Sequence, residues 1–254
     1  MCGRVDIHTP PAQLARALEA QLAAGVDPDG RPSWNVGPTR AIPAVVENEE
    51  HTRVLDLFRW GLVPHWAKDP KSAGGYKMIN ARAETMATKP AYRSALARRR
   101  CLIVVDGFFE WAQNPADPKR KIPFYFQRTD GQPITMAGLW ETWWDKSRSP
   151  DEPDPETYLQ TAVIVTTAAG PDMEAVHDRM PVIIEEAQRG LWLDPEIRDV
   201  AQISGLLHPA PGGTLIRHTI ATEVNNVRND EPGIIEPVDW PEAQLLLPPG
   251  ARPG

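Results

Sequence analysis

The residue with the most distinctive chemistry is Cys2, which follows the initiator methionine. If Met1 is removed, the new terminus carries an α-amine and a thiol on adjacent carbons. An α-amine has a reference pKa of roughly 7.7–8.0, so part of it is neutral and nucleophilic at cellular pH. Such an aminothiol can form an imine with an aldehyde, and the sulfur can then close a five-membered thiazolidine ring. Many proteins carry a small residue at position 2 without function, so Cys2 alone assigns no activity.

Three further polar residues stand in settings that suit proton transfer or positioning. Glu110 lies among aromatic residues in Val-Val-Asp-Gly-Phe-Phe-Glu-Trp, where a carboxylate can accept and return a proton or pair with an arginine. His177, in Val-His-Asp-Arg-Met-Pro, is either a general acid or a structural histidine. Asn80 precedes Ala-Arg-Ala-Glu-Thr and could also serve as a helix N-cap.

The composition excludes several classes of protein. The chain has 254 residues, of which 41% are hydrophobic and 24% charged, which argues against a disordered, collagen-like or membrane-embedded protein. The longest apolar run ends at Asp106, far short of the roughly 18 residues that span a bilayer. Arg4 and Asp6 are charged residues at positions where a secretory signal peptide would have its apolar region. We therefore expect a cytoplasmic protein, nucleoid-associated if bacterial.

The two cysteines and the absence of clustered ligand residues in the sequence limit the cofactor chemistry. Cys2 and Cys101 are too few for a cysteine zinc site, and a disulfide between them is not expected in a reducing compartment. We therefore expect no metal, no cofactor and no membrane partner.

The charge is unevenly distributed along the chain. The net charge is -7, from 27 basic and 34 acidic residues. Between residues 71 and 105, however, one acid, Glu84, stands against a basic series: Lys71, Lys77, Arg82, Lys89, Arg93, Arg98, Arg99 and Arg100. This stretch could bind phosphates or form a solvated surface. Several tryptophans, among them Trp66, could stack on bases, an interaction worth roughly 1–3 kcal/mol, although most tryptophans are core residues.

The elements that must position these residues are mostly short strands. Thr9 is predicted as the N-cap of a helix with Leu14, Leu18 and Leu22 on one face. Strands are predicted at residues 42–46, 53–60, 101–105, 122–127, 134–140, 159–166, 182–184 and 214–218, and helices at 82–86, 91–98, 185–192 and 195–207. Residues 147–156 read as an acidic loop and 247–254 as a frayed tail. The pattern predicts one α+β domain with a mainly antiparallel, curved sheet.

Seven motifs in a fixed order resemble one family. They are Met-Cys-Gly-Arg at 1–4, Arg-Trp-Gly-Leu-Val-Pro at 59–64 with Trp66 behind it, Asn-Ala-Arg-Ala-Glu-Thr at 80–85, Gly-Phe-Phe-Glu-Trp at 107–111, Ala-Gly-Leu-Trp at 137–140, Thr-Thr-Ala-Ala at 166–169 and Val-His-Asp-Arg-Met-Pro at 176–181. The sequence is similar to the SRAP family of abasic-site processing proteins from position 2 to about 229. The resemblance implies a barrel-like SRAP domain flanked by short helices at 1–235, followed by a C-terminal tail at 236–254.

The resemblance also implies a function and roles for individual residues. Such proteins crosslink covalently to abasic sites in single-stranded DNA and protect the lesion in the DNA damage (SOS) response. Cys2 would be the nucleophile after peptidase-like removal of Met1, Asn80 would position the terminus, Glu110 would shuttle a proton, and His177 would assist ring opening and release, with possible lyase activity. The implied DNA contacts are Arg4, Trp66, Arg82, Thr166 and Arg179. Ala67 departs from relatives with a second tryptophan there, which leaves the size of the stacking wedge open.

Two other functions fit parts of the sequence. Class II glutamine amidotransferases also begin Met-Cys-Gly, so an N-terminal-nucleophile amidohydrolase or peptidase would explain Cys2 but not the other motifs. A non-covalent single-strand-binding module would use only phosphate contacts and base stacking. A monomer is expected in each case.

Overall fold

The structure is a computed structural model that describes residues 2–70, 77–145 and 158–246. Met1, Lys71, the predicted acidic loop at 147–156 and the predicted frayed tail at 247–254 lie outside the described residues. Among the described residues no helix is both long and apolar enough to cross a membrane.

Strands make up most of the described chain. They are β1 (Val5–Ile7), β2 (Gln21–Leu22), β3 (Ser33–Val36), β4 (Ala41–Glu47), β5 (Arg53–Trp60), β6 (Asn80–Arg82), β7 (Arg100–Val105), β8 (Gly107–Gln113), β9 (Lys121–Arg128), β10 (Ile134–Trp144), β11 (Tyr158–Ala168), β12 (Arg179–Pro181) and β13 (Leu215–Thr219). The helices are short: α1 (Pro11–Ala17), α2 (Ala83–Met86), α3 (Arg93–Arg98) and α4 (Arg189–Leu193). Single 3-10 turns lie at Glu186–Gln188, Val200–Gln202, Ser204–Leu206, Thr222–Asn225, Pro232–Ile235 and Pro241–Leu246.

Five strands close into a barrel. The order β5-β4-β7-β10-β11 is antiparallel throughout, and a parallel pairing of β11 with β5, Thr161 opposite Arg59, closes it. A second sheet, in the order β13-β9-β8-β1-β3, lies beside the barrel. The predicted α+β domain with a mainly antiparallel, barrel-like sheet and short flanking helices is confirmed.

Strand β7 shows why the sequence forms this barrel. All six of its residues are buried, because it lies between β10 and β4 and has both faces covered. Cys101 and Ile103 enter one apolar cluster and Leu102 and Val104 the other. A strand buried on both faces reads as a continuous apolar run, which is how it could be found in the sequence.

Several predicted elements differ from the structure. Thr9 is not the N-cap of α1, which begins at Pro11, because the Thr9 hydroxyl donates to Asp106 instead, 2.5 Å away. Leu22 lies in β2 rather than on the helix. The strand predicted at 182–184 lies at Arg179–Pro181, where it pairs with β11.

Two predicted helices are also broken up. The helix at 185–192 is a 3-10 turn followed by α4. The one at 195–207 is two 3-10 turns, because the Asp199 side chain caps the first of them and the chain turns again at residue 203.

The C-terminal segment continues to contact the second sheet beyond the predicted boundary at 235. The Val238 N–H donates to the Thr219 carbonyl, 2.9 Å away, and the Trp240 indole donates to the Ile220 carbonyl at 3.0 Å. The division into a domain at 1–235 and a tail at 236–254 stays a prediction.

Candidate functional site

Cys2 is placed by the strand that follows it. Strand β1 is inserted between β3 and β8, with Val5 opposite both Val36 and Phe108. The Phe109 N–H donates to the Arg4 carbonyl at 3.0 Å, which continues this antiparallel pairing toward the N-terminus. The chain ahead of Val5 therefore runs along the part of β8 that carries Glu110.

Asn80 holds the same segment from the other side. Its Nδ2 donates to the Cys2 carbonyl at 2.8 Å. The predicted alternative of a helix N-cap is wrong, because Asn80 begins β6 and pairs in parallel with Ile164 of β11, while α2 begins at Ala83 without a side-chain cap. The Asn80 Oδ1 is buried and has no hydrogen-bond partner in the described part of the chain. A buried carbonyl oxygen without a partner can accept a hydrogen bond from an incoming group.

The Cys2 thiol lies in a dry environment. Its residue is 1% exposed, and burial raises the pKa of the thiol far above its usual range. The negative charge of Glu110 raises the pKa further, whereas the backbone N–H of Arg4 opposes the shift. The sulfur is therefore a thiol and not a thiolate at neutral pH, and it must give up a proton to react.

Glu110 and His177 line one pocket next to this terminus. Glu110 is 3% exposed and lies on β8, whereas His177 lies in the turn before β12. The pocket has a volume of about 510 Å³, and Trp111, Lys121 and Asn225 complete its lining. The structure therefore connects the four predicted chemical residues one to the next. Asn80 donates a hydrogen bond to Cys2, the charge of Glu110 acts on the Cys2 thiol, and Glu110 and His177 line the same pocket.

The His177 ring is fixed by its own turn. Its Nδ1 accepts the Arg179 N–H at 3.0 Å and lies 2.8 Å from a carboxylate oxygen of Asp178. The His177 N–H in turn donates to the Met173 carbonyl. The ring is thereby held at the pocket wall with its side chain 25% exposed.

Three of the predicted DNA contacts meet at the end of β11. Thr166 pairs with Arg82 of β6 on one side and with Pro181 of β12 on the other. The Arg179 guanidinium donates to both carboxylate oxygens of Glu84, at 2.6 and 2.9 Å, and to the Thr166 carbonyl at 2.7 Å. Thr166 is fully buried while Arg82 is exposed. In this arrangement Arg82 faces solvent, and Thr166 and Arg179 form the support behind it.

Arg4 connects β1 to the C-terminal segment. Its Nη1 donates to Asn35 Oδ1 at 2.6 Å and to the Val224 carbonyl at 2.8 Å. The side chain is half-buried, and burial lowers the pKa of the guanidinium. Its predicted contact with DNA stays a prediction.

Trp66 extends from a loop that the barrel holds in place. The residue is 56% exposed. On one side of it, His65 Nδ1 lies 3.0 Å from the buried carboxylate of Glu141. On the other side, the Trp143 indole donates to the Ala67 carbonyl at 2.8 Å. The aromatic ring is therefore exposed on a loop that contacts the barrel on both sides of it, and an exposed ring of this kind suits base stacking.

The basic stretch is divided between structure and surface. Arg100 is buried and donates to the Trp192, Leu96 and Asp194 carbonyls, and Arg99 pairs with Glu141. The exposed members are Lys77, Arg82, Lys89, Arg93 and Arg98. The sequence could not separate these two groups.

Two groups of possible metal ligands occur among the described residues, although the sequence suggested none. One is Asp6, His8 and Asp106, and the other is His51, Asp194 and Glu196. Neither group includes a residue of the pocket that Glu110 and His177 share.

Three lining residues of that pocket were missed in the sequence: Trp111, Lys121 and Asn225. Trp111 follows Glu110 directly and could have been included through the Gly-Phe-Phe-Glu-Trp motif. Lys121 and Asn225 come from distant segments that carry no motif. Only the tertiary structure brings them to the site.

The chain belongs to the SRAP family, since the model of the family described as SOS response associated peptidase (SRAP) matches residues 1–227. Curated relatives carry the name abasic site processing protein. YoqW of Bacillus subtilis is 38% identical over 238 residues, which cover 93% of this chain and 99% of the relative. YedK of Escherichia coli is 31% identical, and the match covers 89% of this chain and 93% of the relative. HMCES of Gallus gallus is also 31% identical, and the match covers 94% of this chain and 78% of the relative.

Solved structures agree on the fold. A crystal structure of a protein from Bacteroides thetaiotaomicron superposes with a TM-score of 0.80, covering 93% of this chain and 100% of that one at 24% identity. At this identity the likeness concerns the fold alone.

Proposed function

We propose that this protein processes abasic sites in single-stranded DNA by forming a covalent thiazolidine between the sugar aldehyde and Cys2, after removal of Met1. The observation that carries this proposal is the position of Cys2, held by the Asn80 amide at 2.8 Å and within electrostatic reach of Glu110. The relatives named abasic site processing proteins support the class of substrate.

The chemistry needs no oxidant, reductant or metal in its balance. The ring-opened abasic sugar presents an aldehyde, and the neutral α-amine of Cys2 attacks it and expels one water to give an imine. The thiol then adds to the imine carbon, and its proton passes to the imine nitrogen. The product is a five-membered ring that joins nitrogen and sulfur to the same sugar carbon.

Glu110 is the group that moves the proton. Because burial keeps the Cys2 sulfur protonated, ring closure requires a nearby base that takes the thiol proton and a nearby acid that returns it to nitrogen. The charge of Glu110 raises the pKa of that thiol, and we assign both steps to this carboxylate.

His177 acts at the same pocket on the sugar. A general acid there donates to the ring oxygen, which favours opening of the sugar and, in the reverse direction, release of the adduct. The same group would assist strand cleavage in a lyase side reaction.

The DNA strand approaches over Arg82 and Trp66. Arg82 is exposed and supplies a phosphate contact, with Thr166 and Arg179 supporting the strand end behind it. Trp66 stacks beside the lesion, and Arg4, which is held through Asn35, supplies a further contact with the DNA. No cofactor enters this scheme.

The word peptidase in the family description fits the first step of the proposal. Removal of Met1 is the hydrolysis of one peptide bond: a water is consumed, free methionine leaves, and the amine that the crosslink needs is released. We infer that the chain removes Met1 itself at the same site, acts as a monomer, and works in the cytoplasm, on the nucleoid if the source is bacterial.

An aldehyde-dependent crosslinking assay tests the proposal. Protein whose amino terminus is Cys2 is incubated with three single-stranded oligonucleotides: one abasic, one carrying a tetrahydrofuran analogue that lacks the aldehyde, and one intact. We expect a denaturant-stable band with the abasic strand alone. Equal, salt-sensitive binding to all three without such a band would favour a non-covalent binding module. Turnover of glutamine without aldehyde capture would favour the amidohydrolase.

A further inference from the structure

The pocket that Glu110 and His177 share is also lined by two residues with hydrogen-bond donors that the proposed reaction does not use. Lys121 begins β9 and pairs with Gln113 of β8. Asn225 ends a 3-10 turn of the C-terminal segment, and both residues line the pocket together with Glu110.

The Asn225 amide has a fixed orientation. The Trp111 indole Nε1 donates to Asn225 Oδ1 at 2.8 Å. An indole N–H can only donate, so the accepting atom must be the amide oxygen. The remaining group of Asn225 is its NH₂, which is a donor.

Lys121 adds a positive charge to the lining of the same pocket. The side chain is exposed, and among the described residues no carboxylate lies within 4.0 Å of its ammonium group. A compact ammonium group with a neighbouring amide N–H is a combination that binds phosphate oxygens. Trp111, which is half-buried, lines the same pocket and contacts Asn225 through its indole N–H.

We propose that Lys121 and Asn225 bind a backbone phosphate adjacent to the abasic sugar, on the β8–β9 side of Cys2. This proposal rests on the proposed function. An abasic nucleotide has no base to recognise, so its position must be set by the phosphates on either side of the sugar. Arg82, two residues after Asn80 on β6, does not line this pocket, so the two contacts would hold the strand at separate points.

A matched pair of lysine variants tests the charge. Lys119 is exposed in the turn before β9 and does not line the pocket. Lys119→Ala therefore removes the same positive charge at a position outside the pocket. We expect Lys121→Ala to weaken binding of the abasic strand about tenfold. The salt slope, which is the slope of the logarithm of the binding constant against the logarithm of the salt concentration, should become shallower by about 1. Lys119→Ala should stay near wild type, and Lys121→Arg should retain most of the affinity. The crosslinking rate of Lys119→Ala at saturating DNA should not change.

A second experiment locates the phosphate. Strands are made with one uncharged methylphosphonate linkage at successive positions around the abasic site. Wild-type protein should bind less tightly when one particular flanking linkage is a methylphosphonate. Lys121→Ala should bind that strand as tightly as it binds the unmodified strand, and methylphosphonates at the other contacted linkages should still weaken its binding. Asn225→Asp keeps an acceptor for Trp111 but replaces the donor by a charge, so it should weaken binding through the same linkage.

The outcomes separate this proposal from the proposed function. If wild-type protein forms no adduct, the proposed function fails. If it does form one, but Lys121→Ala matches Lys119→Ala in affinity and salt slope, the phosphate site alone is wrong. Borohydride trapping of an adduct at Lys121 in Cys2→Ala would also overturn it, because the residue would then act as an amine nucleophile.

Discussion

Two polar clusters surround the first eight residues of the chain, and they differ in how completely they are satisfied. In the cluster around Asp6, the fully buried carboxylate accepts the Tyr125 hydroxyl at 2.7 Å and lies 3.0 Å from His8 Nδ1. Asp106 beside it accepts the His8 N–H at 2.7 Å. In the cluster around Cys2, the Asn80 Oδ1 has no partner among the described residues.

The difference separates a hydrogen-bonded scaffold from the site that we propose to be reactive. A buried polar network in which each member has a partner rigidifies the fold, whereas a buried carbonyl oxygen without a partner is available to accept a further hydrogen bond. Strand β1 joins the two clusters, since Asp6 lies on it and Cys2 precedes it. The satisfied cluster therefore holds the strand that follows Cys2.

One motif contributes to both clusters. A Cβ atom at Gly107 would lie 2.3 Å from the Tyr125 hydroxyl, so only glycine lets that hydroxyl reach Asp6. Three residues later on the same strand, Glu110 lines the pocket beside Cys2. The Gly-Phe-Phe-Glu-Trp motif thus combines a structural requirement with the carboxylate that we propose moves the proton.

The largest expected effect comes from Cys2. Cys2→Ala keeps the amine but removes the sulfur, so the thiazolidine cannot close and the stable adduct should be abolished. Loss of one buried sulfur should cost only about 1 kcal/mol of unfolding free energy. Denaturing gels and thermal melts measure the two effects. Cys101→Ala, which changes a buried core thiol, is the control and should still crosslink. A denaturant-stable adduct in Cys2→Ala would contradict the assignment.

Glu110 should give the next largest effect. Glu110→Gln keeps the shape of the side chain but removes the proton-transfer group, and we expect adduct formation to slow by about 10²–10⁴-fold. The affinity for a tetrahydrofuran strand should change little, because binding does not need that proton. Glu174→Gln, an exposed substitution, serves as the control. An unchanged rate at saturating DNA would remove Glu110 from the mechanism.

The scaffold cluster should respond in the opposite way. Tyr125→Phe removes one donor from the buried Asp6 carboxylate and should lower the unfolding free energy by about 1–3 kcal/mol. At temperatures where the variant is folded, its crosslinking rate at saturating DNA should stay close to wild type. Tyr158→Phe, at an exposed position, should change neither quantity. A variant as stable as wild type but slow in crosslinking would break the distinction between the two clusters.

The smallest expected effect is a pH dependence of stability. The hydrogen bond to Asp6 raises the pKa of His8 above its ordinary value of 6.5. The folded state therefore binds that proton more tightly than the unfolded state. The stabilisation is complete below pH 6.5 and is lost as the pH rises through the raised value.

Thermal melts between pH 6 and pH 8.5 measure this loss. His8→Gln should show a shallower decline over that window than wild type. His51→Gln alters an exposed histidine whose pKa is raised by Glu47, and solvent screening should make its effect smaller. Equal slopes in wild type and His8→Gln would contradict the role of His8.

The sequence predicted those parts of the molecule whose pattern is local. The barrel strands were found because they are apolar runs, as β7 shows, and the strand at 53–60 was placed with its observed limits. Strands β1, β3 and β8 were missed, because they are short or mix glycine, aromatic and charged residues.

The candidate site was predictable only as residue types. Glu110 and His177 could be named from their motifs, but their shared pocket depends on the pairing of β8 with β1 and on the turn before β12. That Thr166 is buried behind Arg179, and that Lys121 and Asn225 reach the site, follow from long-range packing that no local pattern contains.

The most direct test of the central claim is the intact mass of the protein after incubation with an abasic single strand. Protein that begins at Cys2 should gain the mass of the oligonucleotide less one water, and the linkage should map to the N-terminal peptide. A terminus that keeps Met1, or a protein whose mass is unchanged after complete exposure to the abasic strand, would contradict the account.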